Sequence, residues 1–139
     1  MSVSFDIQSL HFMKRFSSVT RVGPQDFFEY NGILFFVVAP DLVAQAVGKG
    51  GVHAKLLAKN FKKPVRIVAR ATREQFLRDL IAPLNPDRIY ADEQQSAILV
   101  VEARDRKTKA LLIGRNASTL RSLEHLVRRH FPVQEIKVV

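Results

Sequence analysis

Apolar and polar positions along the chain predict a helix, two strands, two helices and a strand, in an order that then repeats. The predicted elements of the first half are a helix over Ser4–Ser18, an irregular strand within Val19–Tyr30, a strand over Ile33–Val38, helices over Leu42–Val47 and Val52–Phe61, and a strand over Val65–Val68. Asn31-Gly32 predicts the hairpin between the first two strands. Ser4 and Asp41 are expected to cap their helices, with Asp6 in the first turn of the opening one.

The second half repeats that order and begins at Thr72. Its predicted elements are a helix that begins at Thr72 and stops around Pro83 to Pro86, strands over Arg88–Ala91 and Ala97–Ala103, helices over Lys107–Ile113 and Ser118–His130, and a strand over Val133–Val139. Thr72 and Gln75 fit a capping box, in which each side chain satisfies the other residue's backbone N–H. The buried stripe of that helix is expected to comprise Phe76, Leu77, Leu80, Ile81 and Leu84. The chain is therefore expected to form domains over residues 1–70 and 71–139, which pack as a rigid pair because no flexible linker separates them.

A glycine-rich connection joins the paired helices. Val47-Gly48-Lys49-Gly50-Gly51 lies between the helices of the first half, and Ile113-Gly114-Arg115-Asn116-Ala117 follows at an offset of 66 residues. Two copies predict two similar units with one extended binding surface. Backbone N–H groups at a helix N-terminus suit an anion, and a basic side chain stands beside them in both copies. A tight turn without a ligand is the alternative for such a motif considered alone.

Composition favours the anion-binding interpretation. The 139 residues carry a net charge of +9, and eight basic residues face one acidic residue between Asp41 and Arg73. Nucleic-acid phosphate is therefore the first partner to consider, followed by an anionic membrane surface or an acidic protein. The hydrophobic content of 47% predicts a folded protein, and the absence of cysteine excludes disulfides, thiolate metal sites and a cysteine nucleophile.

Three segments together carry a specific resemblance. They are Val47–Gly51 with the helix that follows it, the helix Gln75–Pro83 between the halves, and Leu112–Asn116. These segments resemble the tandem KH domains, of the helix-first prokaryotic type, of the archaeal NusA-like transcription factors. The resemblance implies an α+β fold with two tandem type II KH domains, each a small three-stranded sheet packed against helices.

The resemblance also implies a non-catalytic protein that binds single-stranded RNA in transcription termination or antitermination. A KH domain clamps about four nucleotides at its Gly-x-x-Gly turn. The residues expected to contact RNA are Gly48, Lys49, Gly50, Gly51, Val52 and Lys55 in the first domain and Gly114, Arg115, Asn116, Ala117 and Arg121 in the second. Val47, Val52 and Leu56 are expected to border an apolar groove for the bases. Because Ala117 replaces the last glycine of its loop, the second site is expected to be the weaker.

Other functions remain open at this stage or fit less well. A ribosome-associated or structured-RNA-associated KH protein without a role in transcription is the main alternative, and RNA polymerase is a partner by family analogy alone. The glycines match neither a P-loop nor a dinucleotide fingerprint, and the four histidines lack metal-ligand spacing, so no enzyme, cofactor or metal is expected. Asp87, Asp92 and Glu93 fit a polar hairpin turn better than a nuclease cluster.

The longest strongly apolar run, Ile33–Ala39, has seven residues and is too short to span a bilayer. The N-terminus also lacks the basic and apolar pattern of a secretory signal. We therefore expect a cytoplasmic protein that does not bind a membrane.

Overall fold

The chain divides into two compact units, Met1–Ala71 and Thr72–Val139. The computed structural model describes residues 7–139. Each unit contains one three-stranded sheet packed against helices. The expected α+β fold with two small three-stranded sheets is confirmed at that level.

The first unit follows the predicted order of elements. These are α1 (Ile7–Thr20), β1 (Asp26–Tyr30), β2 (Ile33–Val38), α2 (Val43–Val47), α3 (Val52–Phe61) and β3 (Val65–Ala69). Strand β2 is central, antiparallel to β1 and parallel to β3. Asn31 and Gly32 both have positive φ, 54° and 75°, and they connect the paired residues Tyr30 and Ile33. The predicted hairpin is confirmed, because Asn and Gly tolerate the left-handed conformation that a two-residue connection needs.

The second unit repeats this order and this pairing. Its elements are α4 (Arg73–Ile81), β4 (Arg88–Ala91), β5 (Ile98–Glu102), α5 (Arg106–Ile113), α6 (Ser118–Arg128) and β6 (Glu135–Val138). Strand β5 is central, antiparallel to β4 and parallel to β6. Along the chain of both units, the two paired helices come between the central strand and the strand that pairs with it in parallel. The glycine-rich connection therefore occupies the same position in the order of elements.

The core of the first unit lies between its sheet and its helices. Buried members of this cluster are Phe16, Val22, Leu34, Phe36, Val38, Ala46 and Leu57. The rings of Phe16 and Phe36 stack with their centroids 4.4 Å apart, and both side chains are fully buried. Burying a side chain of this size contributes about 1.5–3 kcal/mol to stability. Phe28 and Phe35 are also buried in this unit.

Buried side chains of the second unit come from all of its layers. They include Phe76, Leu77, Leu80 and Ile81 of α4, Leu99 and Val101 of β5, Leu112 of α5, Leu123 and Val127 of α6, and Ile136 of β6. Four of the five residues expected in the stripe of α4 are thus buried. Leu84 lies beyond the end of that helix, which stops at Ile81 before Pro83.

Two helix boundaries in the first unit differ from prediction. Val19 and Thr20 belong to α1 instead of an irregular strand. The buried Thr20 hydroxyl donates to the Phe16 carbonyl oxygen at 2.8 Å, which lets a β-branched residue complete the helix. Asp41 does not cap α2, because Pro40 begins a 3₁₀ turn one residue earlier and Asp41 lies within it. The expected roles of Ser4 and Asp6 lie outside the described residues.

Side-chain caps begin both α4 and α5. The Thr72 hydroxyl accepts a hydrogen bond from the Gln75 N–H at 3.1 Å, as predicted. The reciprocal half of the capping box is wrong, because the Gln75 amide donates to Asp79 at 2.8 Å, one helical turn further along. The Asp105 carboxylate accepts from the Thr108 N–H at 2.7 Å and caps α5.

Candidate nucleic-acid interface

The first loop, residues 48–51, turns the chain from α2 into α3. The Gly48 N–H donates to the Ala44 carbonyl oxygen at 3.0 Å and ends α2, and the Gly51 N–H donates to the Gly48 carbonyl oxygen at 2.9 Å. Gly48, Gly50 and Gly51 have φ values of 80°, 65° and 76°. These conformations favour glycine, because a Cβ atom destabilises the left-handed region. Helix α3 then begins at Val52 without a side-chain cap, so its N-terminal dipole is not already engaged by a capping side chain.

The second loop, residues 114–117, has the same backbone conformation. Gly114, Asn116 and Ala117 have φ values of 75°, 55° and 61°, close to those of their counterparts in the first loop. The Ala117 N–H donates to the Gly114 carbonyl oxygen at 3.3 Å, and α6 begins at Ser118 without a side-chain cap. Ala117 therefore adopts the left-handed conformation that alanine was expected to disfavour. The second loop keeps its turn at a cost in strain that glycine would not incur.

The first glycine of each loop packs closely against the helix that follows. A Cβ atom on Gly48 would lie 2.8 Å from Cγ of His53, and one on Gly114 would lie 2.3 Å from Oγ1 of Thr119. Nδ1 of His53 is also 3.0 Å from the Gln45 carbonyl oxygen of the preceding helix. His53 and Thr119 thus support the two loops from equivalent positions. Neither residue was predicted from the sequence, in which their shared offset of 66 residues was the available signal.

The predicted cations lie within each loop or in the first turns of the helix that follows it. Lys49, Lys55, Arg115 and Arg121 are all exposed. The Cε atom of Lys55 lies 3.8 Å from the position that a Cβ on Gly51 would occupy, so this side chain extends back toward the loop. The first unit carries ten basic and four acidic residues, whereas the second carries twelve and nine. Net charges of +6 and +3 make the first unit the stronger attractor of an anion.

An apolar surface follows the first loop but not the second. The side chains of Val52 and Leu56 are one turn apart on α3 and remain 53% and 45% exposed. At the equivalent positions of α6 the chain has Ser118 and Ser122, both exposed. Val47, the last residue of α2 before the loop, is half-buried. An apolar face beside a cationic loop suits a ligand that has both flat apolar groups and negative charges.

Of the three acidic residues assigned to a hairpin turn, Asp92 lies in the turn between β4 and β5, whereas Asp87 lies before β4, where its N–H donates to the Glu102 carbonyl oxygen at 2.7 Å. The Asp92 carboxylate accepts hydrogen bonds from the N–H groups of Gln94 at 2.8 Å and Gln95 at 3.3 Å. This is an Asx turn, which explains the aspartate without a metal. Within residues 7–139, no group of three or more histidine, aspartate or glutamate side chains is arranged to hold a metal ion. None of the helices in that range has the length and apolarity needed to cross a lipid bilayer.

Comparison with known proteins adds whole-chain similarity to this geometry. No protein-family model matches the chain. It is 25% identical over 139 residues to "Probable transcription termination protein NusA" of Halococcus morrhuae, with 99% of both chains covered. It is also 25% identical over 105 residues to the protein of the same name from Methanocaldococcus jannaschii. That alignment covers 75% of this chain and 57% of the relative. These relatives confirm the resemblance to the NusA-like proteins.

Solved structures are also similar to this chain. The crystal structure of APE1850 matches with a TM-score of 0.62 and 21% sequence identity, covering 97% of this chain and 100% of that one. This similarity concerns the fold alone.

Proposed function

We propose that this chain, which resembles the NusA-like transcription termination proteins over its whole length, binds single-stranded RNA through two tandem type II KH domains. The domains would be residues 1–70 and 71–139. The main support is the presence of two Gly-x-x-Gly-type loops of matching backbone conformation, each between paired helices in a helix-first unit. Such a turn clamps the nucleic-acid backbone in KH domains.

In the first domain, phosphates would approach the backbone of residues 48–52. The exposed Gly50 has no atom within 4 Å of where a Cβ would lie, so nothing hinders a close approach. The uncapped N-terminus of α3 adds a partial positive charge, and Lys49 and Lys55 add full charges. Bases would lie over Val52 and Leu56, because these exposed apolar side chains are beside the loop and would otherwise remain in water.

In the second domain, the same turn would bind phosphate with less help from its surroundings. Gly114, Arg115, Asn116 and Ala117 form the turn, and the exposed Arg121 is the counterpart of Lys55. Ser118 and Ser122 offer hydroxyl groups where the first domain offers an apolar surface. The second loop would therefore hold the backbone with little contribution from base stacking.

We further propose that the protein is non-catalytic and acts in transcription termination or antitermination in the cytoplasm. The names of its two relatives support this setting, and RNA polymerase is a partner by the same analogy. The alternative, a KH protein of the ribosome or of another folded RNA, has no relative in its favour among these comparisons.

A titration of fluorescently labelled RNA, followed by anisotropy, tests the proposal. We expect the logarithm of the affinity to fall with the logarithm of salt concentration, with a slope of about −0.7 for each neutralised phosphate. Single strands should bind more tightly than a duplex of the same sequence, because the bases must be unstacked to lie on α3. An affinity that does not change with salt concentration would contradict recognition through phosphate contacts. A higher affinity for duplex than for single strands would favour the folded-RNA alternative.

RNA length separates one binding site from two. If one strand engages both loops, affinity should rise sharply once the strand is long enough to reach the second. A flat profile beyond about four nucleotides would mean that a single KH domain binds.

A further inference from the structure

A cluster of cations at the start of α5 has no role in the proposed grooves. Its members are Arg104, Arg106, Lys107 and Lys109, and we call them the α5 basic face. They account for four of the six residues from 104 to 109. All four side chains are exposed, and none of the ion pairs found within residues 7–139 includes any of them.

Helix stability does not explain this cluster. The N-terminus of a helix is the positive end of its dipole, so cations in the first turn are unfavourable there. Asp105 is the acid nearest in sequence, and its carboxylate is engaged as the helix cap by the Thr108 N–H at 2.7 Å. That hydrogen bond, aided by the neighbouring Arg104 and Lys107, holds the pKa of Asp105 below its ordinary range. The cap thus stays anionic near neutral pH, but its single negative charge does not balance the four positive charges of the cluster.

The fold does not require the cluster either. The equivalent helix of the first unit, α2, forms without it: residues 40–47 contain no lysine or arginine and one aspartate. On the paired helices of the first unit, the cations are Lys55 and Lys59, and both belong to α3, after the loop. The second unit carries cations on both paired helices, with Arg121 and Arg128 on α6, so the cluster before the loop is what distinguishes it from the first unit.

We infer that the α5 basic face binds the sugar-phosphate backbone of the RNA strand that engages the second loop, an inference that rests on the proposed function. Helix α5 ends at Ile113, directly before the loop, and its eight residues rise about 12 Å, so the α5 basic face occupies the part of the helix that is farther from the loop. Ala110 and Leu111 are exposed between them, and Leu111, which is 50% exposed, is one turn from Lys107. A strand leaving the loop along this helix would meet apolar side chains and then the cations. The second domain would thus hold RNA chiefly by charge, without reading its sequence.

The test compares two variants with the same net charge. The α5 variant is Arg106→Gln/Lys107→Gln/Lys109→Gln, and glutamine preserves helix propensity. The control is Lys14→Gln/Arg15→Gln/Lys137→Gln, which removes three exposed cations from α1 and β6. Affinity for a mixed-sequence single-stranded RNA of about a dozen nucleotides is measured between about 50 and about 200 mM salt.

We expect the α5 variant to bind roughly tenfold more weakly at low salt, with a salt slope smaller in magnitude by about 2, because three phosphate contacts are lost. The control should change the slope by less than half as much. The melting temperature of the α5 variant should not fall, since its cations oppose the helix dipole. A charge-preserving variant, Arg106→Lys/Lys107→Arg/Lys109→Arg, should keep wild-type affinity and covers the case in which the glutamine variant unfolds.

Each contrary outcome has a distinct meaning. Equal losses in the α5 variant and the control would mean that net charge alone matters, which overturns the inference. Unchanged binding by the α5 variant beside normal wild-type binding also overturns it and leaves the proposed function intact. Failure of the wild type to bind RNA removes the proposed function itself, and the inference with it. A parallel titration with polyglutamate covers an acidic protein partner: a larger loss for polyglutamate than for RNA would overturn the assignment.

Discussion

The two loops of this chain share a backbone conformation but not a sequence. Residues 48–51 and 114–117 make the same turn, yet only the first residue of each is glycine in both. At that position a Cβ would collide with His53 or Thr119. At Gly50 it would meet nothing within 4 Å, and at Gly51 it would meet Lys55 at an ordinary contact distance of 3.8 Å. The comparison shows that close packing requires the first glycine, whereas the later ones are required only for their φ angles.

The chemistry beside the loops differs more than the loops themselves. The first loop is followed by an apolar surface with lysines, and the second by serines with an arginine, while the α5 basic face precedes it. Backbone conformation and ligand chemistry can therefore vary separately in one repeated fold. We therefore expect substitutions in the loops and substitutions in the surfaces beside them to change RNA binding by different amounts.

The largest expected effect comes from reversing charge in one loop at a time. Lys49→Asp/Gly50→Asp should weaken RNA binding on the order of a hundredfold, because each change removes a favourable contact with a phosphate or adds a repelling charge. Arg115→Asp/Asn116→Asp should weaken it by about tenfold, since the second loop contributes less base contact. Anisotropy titrations of both variants against the same RNA measure the difference.

A conformational control accompanies this pair. Gly50→Asn gives the first loop the residue that the second has at the equivalent position, where Asn116 has a φ of 55°. It should retain most of the binding, because asparagine tolerates the left-handed region and stays neutral. If the second-loop variant proved the more damaging of the two, the proposed ranking of the sites would be reversed.

Exchanging the surfaces behind the loops should have a smaller effect. Val52→Ser/Leu56→Ser should weaken binding by about tenfold, at about 0.7 kcal/mol for each apolar side chain that no longer covers a base. The reciprocal variant Ser118→Val/Ser122→Leu should tighten binding for RNAs long enough to reach the second loop. Equal affinities for the wild type and the first variant would mean that bases do not lie on α3.

Periodicity and turn chemistry were enough to predict most of the elements. The hairpin at Asn31-Gly32 and the cap at Thr72 depend on residues a few positions apart, and the structure contains both. The predictions for Thr20 and Asp41 were wrong for different reasons. Burial of Thr20 overrides the strand preference of a β-branched residue, and the neighbouring Pro40 prevents Asp41 from capping a helix. The buried Thr20 hydroxyl finds its partner within α1, and Pro40 starts a turn before Asp41 can cap one.

The candidate residues could be named from the sequence, but the side chains that pack against them could not. Gly48 to Gly51 and their counterparts follow from motif and repetition. The collision that forbids a side chain at Gly48 involves His53, whose position is known only once α3 is placed against the loop. The exposure of Val52 and Leu56 likewise depends on which face of α3 meets the sheet, since both residue types are usually buried.

A matched pair of substitutions isolates the strain in the second loop. Ala117→Gly should raise the free energy of unfolding by about 0.5–1 kcal/mol, because relief of left-handed strain exceeds the entropy cost of glycine. Gly51→Ala, at a φ of 76°, should lower it by a similar amount. Urea unfolding of both variants measures these changes. A lower free energy of unfolding for Ala117→Gly, or a higher one for Gly51→Ala, would show that the loops adopt different conformations in solution.

The smallest expected effect is the pH dependence of stability, which differs between the two units. Helix α5 begins with the carboxylate cap of Asp105, whereas α2 begins without a side-chain cap. The hydrogen bond from the Thr108 N–H lowers the pKa of Asp105 in the folded protein below its unfolded value of about 3.9. The stability from this cap is therefore fully present above about pH 4 and is lost as pH falls through the folded pKa.

Asp105→Asn provides the control, because asparagine caps comparably but does not titrate. Hydrogen exchange at the Thr108 amide should accelerate in the wild type relative to this variant between about pH 5 and about pH 3, and a constant ratio would contradict the assignment of the cap.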